Sequence, residues 1–243
     1  MKLFLTTLLL AITLSSTAFG DDGFAAYKKG DYKTAMKLWK TMAEQGVAKA
    51  QYNLGFMYDE GYGVPEDDKQ AVKWYRLAAE QGHARAQYKI GLMYDRGDGV
   101  PEDDKQAVKW FRLAAEQGHA SAQFGLGFMY DNGEGVPEDD KQAVKWYRLA
   151  AEQGHASAQV NLGFMYENGH GVSEDDKQAV KWYRLAAEQG HAKAQYNLGV
   201  MYDNGDGVPE DKVLAYMWWN LAAANGDEDA SENKDIIAER MTS

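Results

Sequence analysis

The sequence predicts an all-α fold in which pairs of helices repeat along the chain. The run KQAVKW begins at Lys69, Lys105, Lys141 and Lys177, so successive copies lie 36 residues apart. Within each copy, apolar residues recur at helical spacing in two stretches, and glycines follow both stretches. Glycine accepts the left-handed backbone conformation in which many helices end. This period predicts a solenoid, because neighbouring helix pairs must cover each other's apolar faces.

Five full units and two flanking segments follow from this period. The full units are predicted at residues 47–82, 83–118, 119–154, 155–190 and 191–226. An N-terminal capping half-repeat is predicted at residues 21–46, where a helical pair remains but the loop extension is missing. Residues 227–243 are predicted to form a C-terminal capping helix. Its apolar residues Ile236, Ile237 and Met241 are expected to cover the last exposed stripe.

The first full unit illustrates the expected helix pair. A first helix is predicted over Ala48–Asp59, and a second helix is predicted to begin after Asp67 and to end before Gly82. Asp67 is the expected N-cap, with Gln70 three residues later as in a capping box. The buried stripe of the second helix is expected at Ala71, Trp74, Leu77 and Ala78.

Residues 1–20 differ from the rest of the chain and predict a cleavable secretory signal peptide. Lys2 is their only charged residue, an apolar run follows it, and small residues flank Phe19. An uncleaved anchor is the alternative, but the run spans about twelve residues and a membrane-crossing helix needs about twenty. We therefore expect cleavage before Asp21 and a periplasmic or secreted product.

The chain is acidic and contains no cysteine. Its formal net charge is -11. Nucleic-acid binding depends on Lys and Arg side chains that neutralise phosphates, so this charge argues against nucleic acid as a partner, and against anionic membrane surfaces. Without disulfides, packing alone must stabilise the fold. We expect a monomer that is not inserted in a membrane after signal cleavage.

The repeated pattern AxAQYNLGxMYxxGxGVPEDxxxAxxWYxxAAxQG resembles the Sel1-like repeat, a relative of the tetratricopeptide repeat with a longer loop. The resemblance covers about 180 residues in five copies. It implies a right-handed α-α superhelix whose first helices line a concave groove. It also implies an adaptor, assembly or regulatory role in which the groove binds a partner protein or peptide.

One branch of this family, the cysteine-rich Helicobacter proteins, has been linked to penicillin binding and β-lactam hydrolysis. The alternative function is therefore a hydrolase directed at cell-wall material or β-lactams. In members of that branch a disulfide crosslinks each repeat, whereas this chain has no cysteine. The acidic clusters, such as Glu66–Asp68, recur at capping positions, and no catalytic triad or phosphate loop is visible. We therefore predict a binding module rather than an enzyme, with no cofactor.

By similarity to tetratricopeptide repeats, the ligand-facing positions lie on the first helices, where the copies differ most. The candidate groove residues are Lys49, Tyr52, Asn53, Phe56, Arg85, Tyr88, Lys89, Phe124, Phe128, Asn161, Phe164, Lys193, Tyr196 and Asn197. Aromatic rings supply apolar contact area, and amides can hydrogen-bond an extended backbone in both directions. The alternative is that these positions drift because the surface binds nothing.

Four of these residues suggest a sharper hypothesis. Lys49, Asn53, Arg85 and Lys89 place positive charge on one face of an acidic protein. Related repeats use Lys and Asn at such positions to hold a C-terminal carboxylate. The resemblance therefore implies a partner that presents an acidic or C-terminal segment here.

Histidines and acidic loops raise the question of a metal site. His83, His119, His155 and His191 begin successive units. Packed helices lie roughly 10 Å apart, whereas metal–imidazole bonds are about 2 Å long, so neighbours cannot share one ion. We expect a structural role, with a pH response as the alternative. The loop that begins at Asp203 has glycine where a calcium loop needs oxygen ligands, so no metal is predicted.

Overall fold

A computed structural model describes residues 22–242 of the chain. The predicted signal peptide lies outside the described residues. Within residues 22–242 the structure contains thirteen helices and no β-strand. The all-α class predicted from the repeat period is therefore confirmed.

The helices follow one another with short connections. Their bounds are α1 22–28, α2 Tyr32–Glu44, α3 Ala48–Asp59, α4 Asp68–Glu80, α5 Ala84–Arg96, α6 Asp104–Glu116, α7 Ala120–Asn132, α8 Asp140–Glu152, α9 Ala156–Asn168, α10 Asp176–Glu188, α11 Ala192–Asn204, α12 Lys212–Ala224 and α13 Glu228–Thr242. The first and second helices of the first full unit thus begin and end close to the predicted positions.

The chain divides into two compact units, one ending at Gln117 and the other beginning at Gly118. In the first unit, α3 packs on α4 and α5 on α6, and α4 also packs on α5. In the second unit, α7 packs on α8, α9 on α10 and α11 on α12, with α13 against α12. Each unit is therefore a stack of helix pairs in which every pair also contacts its neighbour.

Capping residues bound the second helices of the units where the sequence predicted. The Asp67 carboxylate accepts a hydrogen bond of 3.0 Å from the Gln70 backbone N–H, which satisfies one free donor of the first turn of α4. The equivalent aspartates Asp103, Asp139 and Asp175 cap α6, α8 and α10 in the same way. Gly82 has a φ of 85° just after α4, a conformation that favours glycine.

The buried face of the second helices differs from the prediction at one position. Ala71, Trp74 and Ala78 are buried as expected, but Leu77 is 37% exposed. Residues four apart share a helix face, and Leu77 lies one turn beyond the exposed Lys73. Buried residues that the prediction omitted complete the packed surface of α4, namely Val72, Tyr75 and Ala79.

The C-terminal helix α13 covers the last pair with fewer residues than predicted. Ile237 is 1% exposed and packs in a cluster with Ala230 and Trp219. Ile236 and Met241 are exposed, so they cover less of the last helix pair than predicted. Ala230 and Ile237 are two helical turns apart and therefore share a face, from which Ile236 is rotated away.

Buried glutamines connect neighbouring helix pairs. Gln159 lies in α9, and its Nε2 donates to the Ala151 carbonyl at the end of α8 over 3.1 Å. Its Oε1 accepts a hydrogen bond of 2.8 Å from the Gln189 side chain, which follows α10. The same pattern recurs at Gln51, Gln87 and Gln195. Because buried amides need partners, these bonds fix how one pair sits on the next.

A close approach inside each pair gives a test of the packing. Gly127 of α7 lies against the ring of the fully buried Tyr147 in α8, and an added Cβ would lie 2.7 Å from Tyr147 Cδ1. Replacing Gly127 by alanine is expected to lower the free energy of unfolding by about 1–3 kcal/mol, because the ring or the backbone must move. Urea denaturation of the full chain measures the change.

Gly125→Asn in the same helix is the matched control. Equivalent positions carry Asn53, Asn161 and Asn197, so an asparagine side chain fits there. Glycine inside a helix costs roughly 0.5–1 kcal/mol relative to alanine, and this variant is expected to be neutral or slightly stabilising. Equal losses in the two variants would contradict the role of the glycine–tyrosine contact.

Candidate functional site: a cationic pocket between two first helices

A surface pocket of about 270 Å³ lies between α3 and the start of α5, within the first unit. We call it the α3–α5 pocket. Its lining residues are Lys49, Tyr52, Asn53, His83, Ala84 and Arg85. On α3, the first three of these are spaced three and four residues apart, so they share one face of the helix. The other three belong to the first turn of α5 and its N-cap.

The His83 ring is held in place by two contacts. Its Nδ1 accepts a hydrogen bond of 3.3 Å from the Ala86 backbone N–H, which makes His83 the N-cap of α5. The ring also stacks on Tyr52, with centroids 4.8 Å apart and an interplanar angle of 22°. These two rings form an apolar wall of the pocket whose position is set by the helix cap.

The charges around the pocket are positive. Lys49 and Arg85 are both exposed, and no carboxylate within residues 22–242 forms an ion pair with either. Burial lowers the pKa of His83 below its ordinary value, and the charges of Arg85 and Lys49 lower it further. The pocket is therefore a cationic surface on a chain whose formal net charge is -11.

These groups can hold an anionic group that is attached to a peptide. Lys and Arg bind carboxylates through charge-assisted hydrogen bonds, which are stronger than neutral ones. The Asn53 side chain carries both donors and an acceptor, so it can hydrogen-bond a peptide backbone. The Tyr52 and His83 rings offer apolar area to a neighbouring side chain.

Lys89 is not part of this pocket, although the sequence grouped it with Lys49, Asn53 and Arg85. Its Nζ lies 2.8 Å from Asp59 Oδ2 and 3.9 Å from Glu60 Oε1. The same Asp59 oxygen accepts a hydrogen bond of 2.9 Å from the Tyr75 hydroxyl. Lys89 therefore connects α5 to the end of α3 and does not face the pocket.

The remaining predicted residues of the first unit are partly buried against other rings. Phe56 lies edge-on to Tyr27, with centroids 6.2 Å apart, and also contacts Tyr62. Tyr88 packs against Phe111, with centroids 5.9 Å apart. These aromatic residues fill space between helices, in addition to any contact they make with a ligand.

The predicted residues of the second unit divide into three groups. Phe128 and Phe164 are exposed. Asn161 and Asn197 each lie beside a buried tyrosine, Tyr147 and Tyr183 respectively; burial raises the pKa of each tyrosine hydroxyl, and the asparagine lowers it. The remaining three residues make contacts with rings. Phe124 stacks on His155, and Lys193 lies over the ring of Tyr196.

A second pocket, of about 320 Å³, lies between α11, α12 and α13 in the second unit. Tyr196 lines it, as do Val200, Trp219, Ile237 and Arg240. The sequence pointed to Tyr196 but missed the contribution of α13. That contribution depends on how the last helix docks, which no repeat pattern specifies.

His83 and Ala84 are the two pocket residues that the sequence did not assign to binding, and His83 is the one with a polar side chain. It was expected to be structural, and the cap confirms a structural role, yet the same ring lines the α3–α5 pocket. The signal was its position, because the residue before each first helix is a natural capping position. In the first full unit Val47 stands there and makes no side-chain cap.

Within residues 22–242, no group of three or more His, Cys, Asp or Glu side chains is arranged to hold a metal ion. In the same range, no helix combines the length and the apolar character needed to cross a bilayer.

Stacked helix pairs with a 36-residue period define this chain as an α-solenoid repeat protein. The sequence profile of the Sel1 repeat matches residues 20–47, 48–83, 84–119, 120–155, 156–191 and 192–227. The chain therefore belongs to the Sel1 repeat family. Sel1 repeat folds generally mediate protein–protein interaction.

Solved structures support this assignment. A Sel1 repeat protein from Oxalobacter formigenes is 38% identical, with a TM-score of 0.82 over 89% of this chain and 86% of that chain. The protein c5321, a protective antigen of uropathogenic Escherichia coli with the same fold, is 44% identical with a TM-score of 0.79. That match covers 82% of this chain and 43% of c5321. No curated protein shows significant similarity to the chain.

The placement of Lys89 predicts a salt-dependent contribution to stability. Lys89→Met keeps the aliphatic stem and removes the charge that faces Asp59. The free energy of unfolding is expected to fall by roughly 0.5 kcal/mol at low salt, as for other partly exposed ion pairs. The difference is expected to shrink at high salt, because ions screen such pairs.

Urea denaturation at two ionic strengths measures this contribution. Lys69→Met is the matched control, because Lys69 is exposed at the start of α4 and forms no ion pair within residues 22–242. A loss that is equal in both variants, or that does not change with salt, would show that the contact with Asp59 is not the cause.

Proposed function

We propose that this chain is an exported Sel1 repeat scaffold that binds a partner protein. We further propose that its α3–α5 pocket holds an acidic or C-terminal segment of that partner. Export rests on the signal peptide predicted at residues 1–20. Mass spectrometry of the mature protein tests it, since cleavage before Asp21 is expected.

One observation carries the binding proposal: Lys49 and Arg85 come from two neighbouring helix pairs, yet both line one pocket without an acidic partner from the described residues. The chain as a whole carries a formal net charge of -11. A cationic surface on such a chain therefore favours an anionic ligand and also accelerates its approach.

The other lining groups favour a peptide over a small free anion. Asn53 lies one turn along α3 from Lys49 and supplies an amide for backbone hydrogen bonds. Tyr52 and His83 supply the stacked rings. Aromatic and arginine side chains that act together are typical of the energetic centre of protein interfaces.

The hydrolase alternative gains no support from these contacts. The recurring acidic clusters contain the residues that cap the second helices, such as Asp67 on the Gln70 N–H. Their recurrence is therefore explained by helix capping, and we do not propose a catalytic role for them.

Substituting the two cations tests the pocket. The double variant Lys49→Ser, Arg85→Ser is expected to fold normally, because Ser121 and Ser157 occupy the equivalent positions of later units. Loss of two charge-assisted contacts is expected to weaken partner binding about tenfold or more. The measurement is crosslinked capture from the source cell with a photoreactive residue at Asn53, quantified by mass spectrometry.

Lys69→Ser, Lys73→Ser is the control, since it removes the same charge from the exposed face of α4. Capture by the control is expected to match that of the unmodified chain. If the pocket variant captured the same partner equally well, or if both variants lost it equally, the pocket would not be the binding site. A synthetic peptide of the captured segment, with a free or an amidated C-terminus, then separates a terminal carboxylate from acidic side chains.

A further inference from the structure

The cap fixes which nitrogen of the His83 ring carries its proton. Only an unprotonated nitrogen accepts a hydrogen bond, and Nδ1 accepts from the Ala86 N–H. The neutral ring therefore carries its proton on Nε2. Nε2 has no hydrogen-bond partner among residues 22–242, and the ring lines the α3–α5 pocket. His83 thus has one donor that the fold does not use.

The groups around His83 are cationic or aromatic. From α3 come the Lys49 charge and the stacked Tyr52 ring, and from α5 comes the Arg85 charge. Helix α4, which packs against α5, contributes no charge that affects this ring. Both charges oppose protonation of His83, and no described carboxylate offsets them.

We propose that His83 belongs to the binding site: its Nε2–H donates to the anionic group of the ligand, and ligand binding is coupled to protonation of the ring, so affinity rises as the pH falls. This inference rests on the proposed function, because it requires an anionic ligand in the α3–α5 pocket.

The direction of the effect follows from linkage. In the free protein, burial and the two cations hold the pKa of His83 below its ordinary value. A bound anion offsets the two cations and raises this pKa. The complex then holds more protons than the free protein between the two pKa values, so affinity increases as the pH falls through that range. Protonation also removes the bond from Ala86, but this cost is present with and without ligand.

The second unit contains a matched ring without the cations. His155 Nδ1 accepts from the Ala158 N–H over 3.3 Å, and its ring stacks on Phe124 with centroids 4.7 Å apart. The positions of Lys49 and Arg85 are occupied there by Ser121 and Ser157. His155 therefore shares the cap and the stack of His83 but lacks the charges that attract an anion.

Nuclear magnetic resonance of the histidine Cε1–H groups tests the inference in the full chain. The probe is the N-acetylated tripeptide Gly-Glu-Asp with a free C-terminal carboxylate, titrated from about pH 5 to pH 8, the range in which histidine changes charge. We expect the peptide to raise the pKa of His83 and to leave the pKa of His155 unchanged. We also expect the peptide to bind about three- to tenfold more tightly at the acidic end.

His83→Asn separates the titration from the cap, because asparagine is a good N-cap residue but does not titrate. The variant is expected to keep its melting temperature near that of the unmodified chain and to bind the peptide with an affinity that no longer depends on pH. Persistence of the pH dependence in this variant would overturn the role of His83.

The remaining outcomes separate this inference from the proposed function. If the peptide perturbs the side-chain resonances of Lys49 and Arg85 while the pKa of His83 does not change, the pocket stands and the inference about His83 is wrong. Equal shifts of His83 and His155 would indicate a non-specific effect and would also overturn it. If no residue of the pocket responds at any pH, the proposed function fails at this site, and the inference fails with it.

Discussion

The contact between a first-helix glycine and an aromatic ring of the second helix sets the geometry of every full helix pair. Gly55 meets Tyr75 in this way, and the other pairs are Gly91 with Phe111, Gly127 with Tyr147, Gly163 with Tyr183, and Gly199 with Trp219. A Cβ added at any of these glycines would lie 2.5–2.7 Å from the ring. Because no side chain fits, the ring size fixes how closely the two helices approach. The face of each first helix opposite the glycine is turned away from the second helix. Residues on that opposite face can therefore vary without disturbing the pair.

The glutamine contacts extend this order from one pair to the next, and the candidate site depends on them. Gln87 of α5 donates to the Ala79 carbonyl of α4, and Gln117 donates to Gln87 in turn. These bonds hold α5 against the end of α4, and the equivalent bond from Gln81 to Gln51 ties the segment before α5 to α3. Lys49 and Arg85 lie 36 positions apart in the sequence, at equivalent places in successive units. They share one pocket because the register between the pairs is fixed, so the recognition that we propose for this site is a property of the stack rather than of one helix.

The repeat pattern predicted the helices, their caps and part of the pocket, because each of these follows from local chemistry at a repeated position. Of the four residues that the sequence grouped, Lys49, Asn53 and Arg85 line one pocket, since residues at equivalent positions of stacked units are neighbours. Lys89 was placed in this group wrongly, because its long side chain turns to the carboxylate of Asp59, thirty positions earlier in the chain. The repeat pattern does not show whether such a lysine pairs with a carboxylate of the fold or with a ligand. The role of His83 was also hidden. Histidine is not among the common N-cap residues, and its acceptor geometry becomes evident only when the Ala86 N–H is placed beside Nδ1.

The repeats divide their residues into a recurring set and a variable set, and His83 is a recurring residue that lines a pocket with variable ones. Glycines, buried glutamines, capping aspartates and core aromatics recur in nearly every unit and determine the fold. Positions such as Lys49 and Arg85 differ between units, so the α3–α5 pocket is cationic while the equivalent residues Ser121 and Ser157 are neutral. A ligand that contacts only the variable residues can bind and dissociate without affecting the helices. A ligand that reaches His83 also reaches the first turn of α5, since the same ring caps that helix. The recognition that we propose at this pocket is therefore tied to the protonation of a capping residue, whereas the His155 cap has no such cations beside it.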